Sequence, residues 1–529
     1  MTWTTIADLI LEKAEKQPDF EVLRFEHEGS YASRTYESLF ENARSLVRGL
    51  KARGITNGDR VGLLIQNHPE FVELLIAAGL LGMVIVPLDP RMRGSKLAYM
   101  LNDTSCRAVV CGTYSIDAVH ELKANLPSLE TVILVDGDAA AYSELSAVGI
   151  DEILSAGPGA SIEMTPLEAT APMQIMYTSG TTGDPKGIVL PHQRFIAASG
   201  YGELMFGYRP TERPYTGLSL THGNAQFVTL APSLAMELPA VFSRKFTKSR
   251  LWDIIRETDS TTFSLLGGMV TAIYSEPPRP DDFDNPVEFV VSAGMPPNLW
   301  TEFSRRFGVE ITEFYGAMEG GLLLNPRGTG PIGSCGKPPS TLKTRVVDEN
   351  LEDVGENQPG ELLFANVDGT PFKVEYRGKP EASAKKVQDG WLRTGDVVRK
   401  DGDGWFYYLH RSGGGIRRNG EFISPSLIEK TLAEHPDVSD VFVWGVESAA
   451  GAPGEKDIVA SIVPVETSQL TPDELFRWAR GELEANMVPS FLQFVDQIPK
   501  TASEKPQERF LIDAFRADKA AVYTAEKVS

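Results

Sequence analysis

Met173-Gln174-Ile175-Met176-Tyr177-Thr178-Ser179-Gly180-Thr181-Thr182-Gly183-Asp184-Pro185-Lys186-Gly187 decides how this chain is read. A largely apolar run, 173–177, predicts a strand that feeds a loop of small and hydroxyl residues closed by a lysine. Glycines there let backbone N–H groups approach an anion without a Cβ in the way. Thr178, Ser179, Thr181 and Thr182 add hydroxyl donors and Lys186 a point charge, so the loop suits a polyphosphate. The kinase-type spacing G-x-x-x-x-G-K-[ST] is absent, because Gly183 stands three positions before Lys186 and Gly187 follows it. The plain alternative for any Gly/Thr-rich turn is a flexible linker.

Upstream, residues 60–65 read as a short buried strand and Asn67-His68-Pro69-Glu70 as the start of a helix. Similar alternation recurs at 107–111, 131–135, 289–292 followed by 296–307, and 310–314, which predicts parallel α/β architecture. From Gly336 the texture changes to short strands punctuated by glycine and proline, at 343–347, 360–364 and 404–409. These predict an antiparallel, barrel-like portion. Gly413-Gly414-Gly415 then lie between basic residues, and roughly 110 residues follow in which α/β alternation resumes. There a helix over 426–435 stops before Pro436 and a strand occupies 438–443. The expected fold class is α/β, with a large N-terminal domain of α/β subdomains plus a β-barrel-like portion (1–410) and a small α+β C-terminal domain (411–529).

With 529 residues, 42% hydrophobic and 23% charged, the chain is too long for one ordinary domain. Its longest apolar run, 74–88, falls short of the roughly 18–20 residues a bilayer needs, and reads as a buried helix leading into a strand. Residues 1–12 carry acidic groups and no basic head, so no secretory signal is expected and a cytoplasmic location is. Cys106, Cys111 and Cys335 have neither zinc-site spacing nor the pairing of a disulfide framework. A formal net charge of -21 opposes nucleic acid and anionic lipid, so neither is expected as a partner. The same field opposes any phosphorylated ligand, so nucleotide chemistry must rest on local amides, a divalent cation and individual Lys or Arg residues.

Residues 178–187 resemble, over ten positions, the phosphate loop of the adenylate-forming superfamily of acyl-CoA synthetases, firefly luciferase and the adenylation domains of peptide synthetases. A match of that length argues against the linker reading, and further motifs follow in the family's order. Phe314-Tyr315-Gly316-Ala317-Met318-Glu319 resembles the aromatic-Gly-x-Thr-Glu motif, which implies that Tyr315 stacks on adenine, beside Gly316, and that Glu319, with Thr181, holds Mg2+ on the triphosphate. Met318 replaces the usual Thr or Ser. Ser292-Ala293-Gly294-Met295 resembles the loop on which adenine rests. Trp391-Leu392-Arg393-Thr394-Gly395-Asp396 resembles the ribose motif, with Asp396 accepting from two ribose hydroxyls. His222, in Thr221-His222-Gly223-Asn224-Ala225-Gln226, falls where the family places a residue beside the reacting carboxylate.

Residues 411–421 resemble the hinge motif, with Gly414 in place of the usual Asp or Lys. Arg411 is then implied at ribose or phosphate, and a swivel of the small domain is implied to bring Gly420-Glu421 to the site and admit pantetheine. Arg417 and Arg418 are open to two readings, contact with CoA phosphates or plain solvation. Pro499-Lys500-Thr501-Ala502-Ser503-Glu504-Lys505 resembles the segment bearing the catalytic lysine, Lys505, with Glu504 in place of glycine. The Glu504-Lys505 pair, Asn224-Ala225-Gln226 and residues 277–282 look most like the carnitine/crotonobetaine-CoA ligase branch. By analogy with relatives, Phe227, Gly267-Gly268-Met269, Met295 and Gly320-Gly321 are expected to line the acyl pocket.

The resemblance implies a reaction in two steps. A carboxylate attacks the α-phosphate of ATP, releasing pyrophosphate, and a thiol, that of coenzyme A, attacks the resulting acyl-adenylate. ATP, Mg2+, coenzyme A and a small carboxylic acid are therefore the expected ligands, with Lys186, Lys505 and His222 as the catalytic set, and a homodimer is left open. Transfer to a carrier-protein thiol is the alternative acceptor. An inactive nucleotide-binding relative is the reading that Met318, Gly414 and Glu504 favour.

Overall fold

The structure is a computed structural model that describes residues 3–155, 164–178, 185–274, 276–348, 350–411, 416–419, 421–423, 425–448, 455–499 and 508–524. Two large sheets carry the first part of the chain. One has seven strands in the order Ala147–Gly149, Thr131–Leu134, Ala108–Cys111, Arg60–Leu64, Val84–Pro87, Pro172–Thr178 and Lys186–Pro191. Neighbours are parallel except the last pair, where the quoted strand turns back on itself and Thr178 faces Lys186. Strands such as Val84–Pro87 and Ala108–Cys111 are buried throughout, as the core of a parallel sheet requires.

The apolar run 74–88 becomes helix Pro69–Leu81, with proline in its first turn and Gly82 closing it at φ 82, followed by strand Val84–Pro87. Twelve of the helix's residues are buried, so it is enclosed on every side. No helix among the described residues is long and apolar enough to cross a membrane. All three cysteines are free and buried.

The second sheet has eight strands, in the order Leu322–Leu324, Glu310–Gly316, Phe289–Ala293, Thr262–Leu266, Pro214–Thr216, Ala240–Phe242, Glu21–His27 and Ser30–Thr35. Its interior is parallel and both its edges are antiparallel. Ile6, Phe71, Leu75, Leu234 and Phe242 belong to one apolar cluster that the two sheets share.

Beyond Gly336 an antiparallel five-stranded sheet is built from Leu342–Val347, Gly360–Asn366, Val387–Gln388, Trp391–Lys400 and Phe406–Arg411. Alternate residues of Trp391–Lys400 are buried, the period-two pattern of a half-covered strand. The last part of the chain forms the hairpin Ile416–Arg418/Glu421–Ile423 and a four-stranded sheet with helices Pro425–Ala433, Pro472–Glu482 and Glu508–Ala517. Its own core includes Ile428, Leu432, Phe476 and Leu492. Thr471 and Glu474 close a capping box on the second of those helices, satisfying its first N–H groups.

Candidate active site

Parallel strands open their carboxyl ends toward a crevice, where ligands of α/β sheets bind. Here Leu266, Ala293 and the Phe314-Tyr315-Gly316 end of Glu310–Gly316 reach the wall of one cavity of about 1430 Å³. The seven-stranded sheet contributes Tyr177 and Lys186, the antiparallel sheet Asp396 and Tyr408, and the last part of the chain Arg417, Glu421, Glu484 and Met487. Lys96, on helix Gly94–Asp103, pairs with Glu484 at 2.8 Å and ties the two ends of the chain together beside this cavity.

Several residues singled out from the sequence meet here. The Tyr315 hydroxyl donates to Asp396 Oδ2 at 2.6 Å, and its ring stacks against Phe364 with centroids 6.2 Å apart. Asp396 is 3% exposed, and its N–H donates to Thr394 Oγ1. Its ladder partner is Arg411, so the backbone brings the end of the antiparallel sheet to the same point. Just before it Gly395 holds φ 76, a left-handed conformation that a side chain would strain. Glu319 accepts from the Tyr376 hydroxyl at 2.7 Å, and Lys186 Nζ lies 5.4 Å from the centre of that tyrosine ring. Tyr376 thus bridges the lysine and the carboxylate.

His222, Phe227, Ala293, Gly294 and Gly316 also line the cavity. The Asn224 N–H donates to His222 Nδ1 at 3.3 Å. The imidazole is exposed on the cavity wall, and partial desolvation by the protein around that recess holds its pKa below the usual value. A neutral ring accepting at Nδ1 carries its proton on Nε2, and so offers a donor.

Other expected residues stand elsewhere. Met269 and Met295 are packed into the apolar cluster around Trp252 and Phe303, and neither they nor Gly320 line the cavity, whereas Gly321 does. Arg418 donates to the Val488 carbonyl at 2.6 Å, so its guanidinium is engaged within the last part of the chain. Arg417 instead lies against Gly294, where a Cβ would collide with its guanidinium, and over the Tyr408 ring. Ser179, Gly180, Thr181, Thr182, Gly183, Gly414, Gly420 and Lys505, with the side chains of Thr178 and Arg411, lie outside the described residues.

Glu313 belongs to the site although no motif drew attention to it. It is 5% exposed, and its two carboxylate oxygens accept the N–H groups of Gly294 and Met295, fixing the loop that follows strand Phe289–Ala293. Burial pushes its pKa up to about 7 against those two hydrogen bonds. The signal was present as an acidic residue next to the buried middle of a strand, Ile311-Thr312. Between the ordinary value of 4.5 and about 7, the folded protein keeps a proton that the unfolded chain has lost. Stability therefore falls as pH rises through that window and is level above it, by at most about 3 kcal/mol. Glu313→Gln, with no proton to lose, is expected to flatten this fall. Thermal midpoints at about pH 5 and about pH 8 check it, and an unchanged difference between them counts against the assignment.

A divalent cation on a nucleotide needs one or two protein carboxylates plus phosphate and water. Among the described residues no cluster of three or more His, Cys, Asp or Glu could form a complete metal cage. Glu319, oriented by Tyr376 on the cavity wall, fits the lesser requirement.

Comparison with known proteins bears on the family and the fold. Crotonobetaine/carnitine–CoA ligase of Salmonella typhimurium is 27% identical over 485 residues, covering 90% of this chain and 93% of that protein. The counterpart in Salmonella paratyphi A is 26% identical over 500 residues, 93% and 96% of the two chains. Among solved structures, o-succinylbenzoate CoA synthetase from Bacillus subtilis, bound to a product analogue, superposes with a TM-score of 0.78 at 22% identity, over 96% of this chain and 98% of that one. The amide bond synthetase of Marinactinospora thermotolerans gives 0.80 at 21% identity, over 97% and 99%. These two likenesses speak for the fold. The profile of the family described as AMP-binding enzyme C-terminal domain matches residues 427–505. That of the AMP-binding enzymes matches residues 10–368, more than half of the sequence, and the chain belongs to that family.

Proposed function

We infer that this chain is an ATP-dependent, AMP-forming acyl-CoA ligase. One observation carries the reading: Lys186, His222, Tyr315, Glu319 and Asp396, drawn from four motifs, line a single cavity that also admits residues from beyond position 411. In the first half-reaction a carboxylate oxygen bonds to the α-phosphorus of ATP, the α–β anhydride breaks and pyrophosphate leaves. In the second, the CoA sulfur bonds to the acyl carbon, the bond to the adenylate oxygen breaks, and AMP leaves as the thiol gives up its proton.

The chain's own contribution is orientation and charge neutralisation. Asp396 accepts from the ribose hydroxyls, Tyr315 presents its ring to adenine, and the neutral His222 offers Nε2–H to the carboxylate. Lys186 and Lys505 supply positive charge at the phosphates. Glu319, with Thr181, would hold magnesium, which when bound neutralises phosphate charge. The boundary between the two domains is placed at 410/411, in the last step of strand Phe406–Arg411. Glu421 and Glu484 on the cavity wall support the reading that the Gly420-Glu421 segment comes to the site to admit the thiol.

The test incubates purified protein with Mg-ATP, coenzyme A and a panel of carboxylic acids, following pyrophosphate, AMP and acyl-CoA. Pyrophosphate release that requires an acid, with acyl-CoA formed only when CoA is present, is the expected result. No acid-dependent pyrophosphate would end the adenylation reading, and pyrophosphate without acyl-CoA would end the choice of acceptor.

A further inference from the structure

Two carboxamides two residues apart are treated differently by the fold. Gln226 is fully buried, and its side chain exchanges hydrogen bonds with Gln174 and donates to the Leu220 carbonyl at 2.8 Å. Asn224 is 8% exposed and lines the cavity, yet neither its Nδ2 nor its Oδ1 has a hydrogen-bond partner among the described residues. A buried amide left without partners costs free energy, and such groups are rare in folded proteins. Packing did not force this arrangement, because the neighbouring amide on the same turn is completely satisfied. The chain here also enters a π-helical turn, Ala225–Leu230, a departure from regular helix that often marks functional sites.

The surroundings narrow what Asn224 awaits. One turn along, Val228 belongs to an apolar cluster with Met205 and Phe206, against which Tyr201, Phe314 and Leu322 pack, and all six line the cavity. A side chain with one donor group and one acceptor therefore stands at the edge of an apolar wall. An uncharged group that both donates and accepts, a hydroxyl above all, satisfies both halves of a carboxamide. A charged group would have to be desolvated against that apolar wall.

We propose that Asn224 is a specificity-determining residue that selects carboxylic acids bearing a hydroxyl on an otherwise apolar acyl group. This rests on the acyl-activating reading given above. A site built to hydrogen-bond a hydroxyl discriminates strongly against the analogue that lacks it, because its own polar group is then left unpaired.

The experiment compares matched acids, benzoate against the monohydroxybenzoates and cinnamate against the ring-hydroxylated cinnamates, by kcat/KM for acyl-CoA formation in wild type, Asn224→Leu and Asn224→Ser. In wild type at least one hydroxylated acid is expected to exceed its parent by about tenfold or more. Asn224→Leu should bring that ratio to about one or below, and Asn224→Ser, which keeps a hydroxyl, should retain part of it. Both acids are measured on the same preparation, so lost folded protein scales both rates and leaves the ratio intact. If the leucine variant does not fold, the serine variant decides. A wild-type ratio near one for every pair, or a preference that persists in Asn224→Leu, overturns the proposal. Failure of every acid to yield acyl-CoA is a different outcome: it removes the ligase reading and this proposal with it.

Discussion

Lys505→Ala is expected to slow acyl-adenylate formation by about 10²- to 10³-fold, the loss that follows removal of one preorganised charge-stabilising donor. Two anions, a carboxylate and the α-phosphate, must approach within bonding distance in that step, and the chain as a whole carries a formal charge of -21. Local cations have to overcome both repulsions, and an ammonium bridging the two reacting groups acts where charge develops. The second half-reaction has no such requirement, because the thiol meets an acyl carbon already joined to phosphate. In the arrangement described, Glu421 and Glu484 face the cavity. Thioester formation from a supplied acyl-adenylate should therefore be nearly unaffected in the same variant. Single-turnover measurement of each half-reaction checks this, and equal loss in both would remove Lys505 from its assigned role.

Reading the sequence located what local chemistry determines. Parallel strands were marked by short apolar runs, so 60–65, 107–111 and 131–135 fall on Arg60–Leu64, Ala108–Cys111 and Thr131–Leu134. Helix Pro69–Leu81 was marked by its proline start. Long-range pairing was not legible. Strand Glu21–His27 lies beside Ala240–Phe242, more than 200 positions away, and nothing in either short run names the other. The antiparallel return from Pro172–Thr178 to Lys186–Pro191 was likewise hidden inside an expectation of parallel strands.

Within the cavity, motifs identified residues whose chemistry is carried by spacing, such as Tyr315, Glu319 and Asp396. They missed Glu313 and Tyr376, whose roles depend on what faces them across the fold. Met269 and Met295 were expected at the acyl pocket by analogy with relatives, but the helix and loop that carry them turn their side chains into the core. Asn224 was noted only as part of a family-like triplet, and its lack of partners becomes visible once burial and hydrogen bonds are known.

Asp396→Ala should impair both half-reactions, the opposite pattern from Lys505. Asp396 is 3% exposed, its Oδ2 already accepts from Tyr315, and it stands opposite Arg411 where the antiparallel sheet ends. A carboxylate accepting from two ribose hydroxyls makes charge-assisted hydrogen bonds, each worth about 1.5–3 kcal/mol. Losing both corresponds to about 10²- to 10⁴-fold in kcat/KM for ATP. The acyl-adenylate carries the same ribose into the second step, so a supplied adenylate must bind more weakly as well. Tyr315→Phe separates the ribose contacts from the network that orients them, since it removes only the hydroxyl that donates to Asp396 and keeps the ring. Its expected cost is about tenfold, through a less firmly held carboxylate. Affinity for ATP by titration and kcat/KM for each half-reaction supply the readouts. If Asp396→Ala lost adenylation alone and retained full affinity for a supplied adenylate, the carboxylate would belong to the triphosphate or to the reacting acid and not to the ribose.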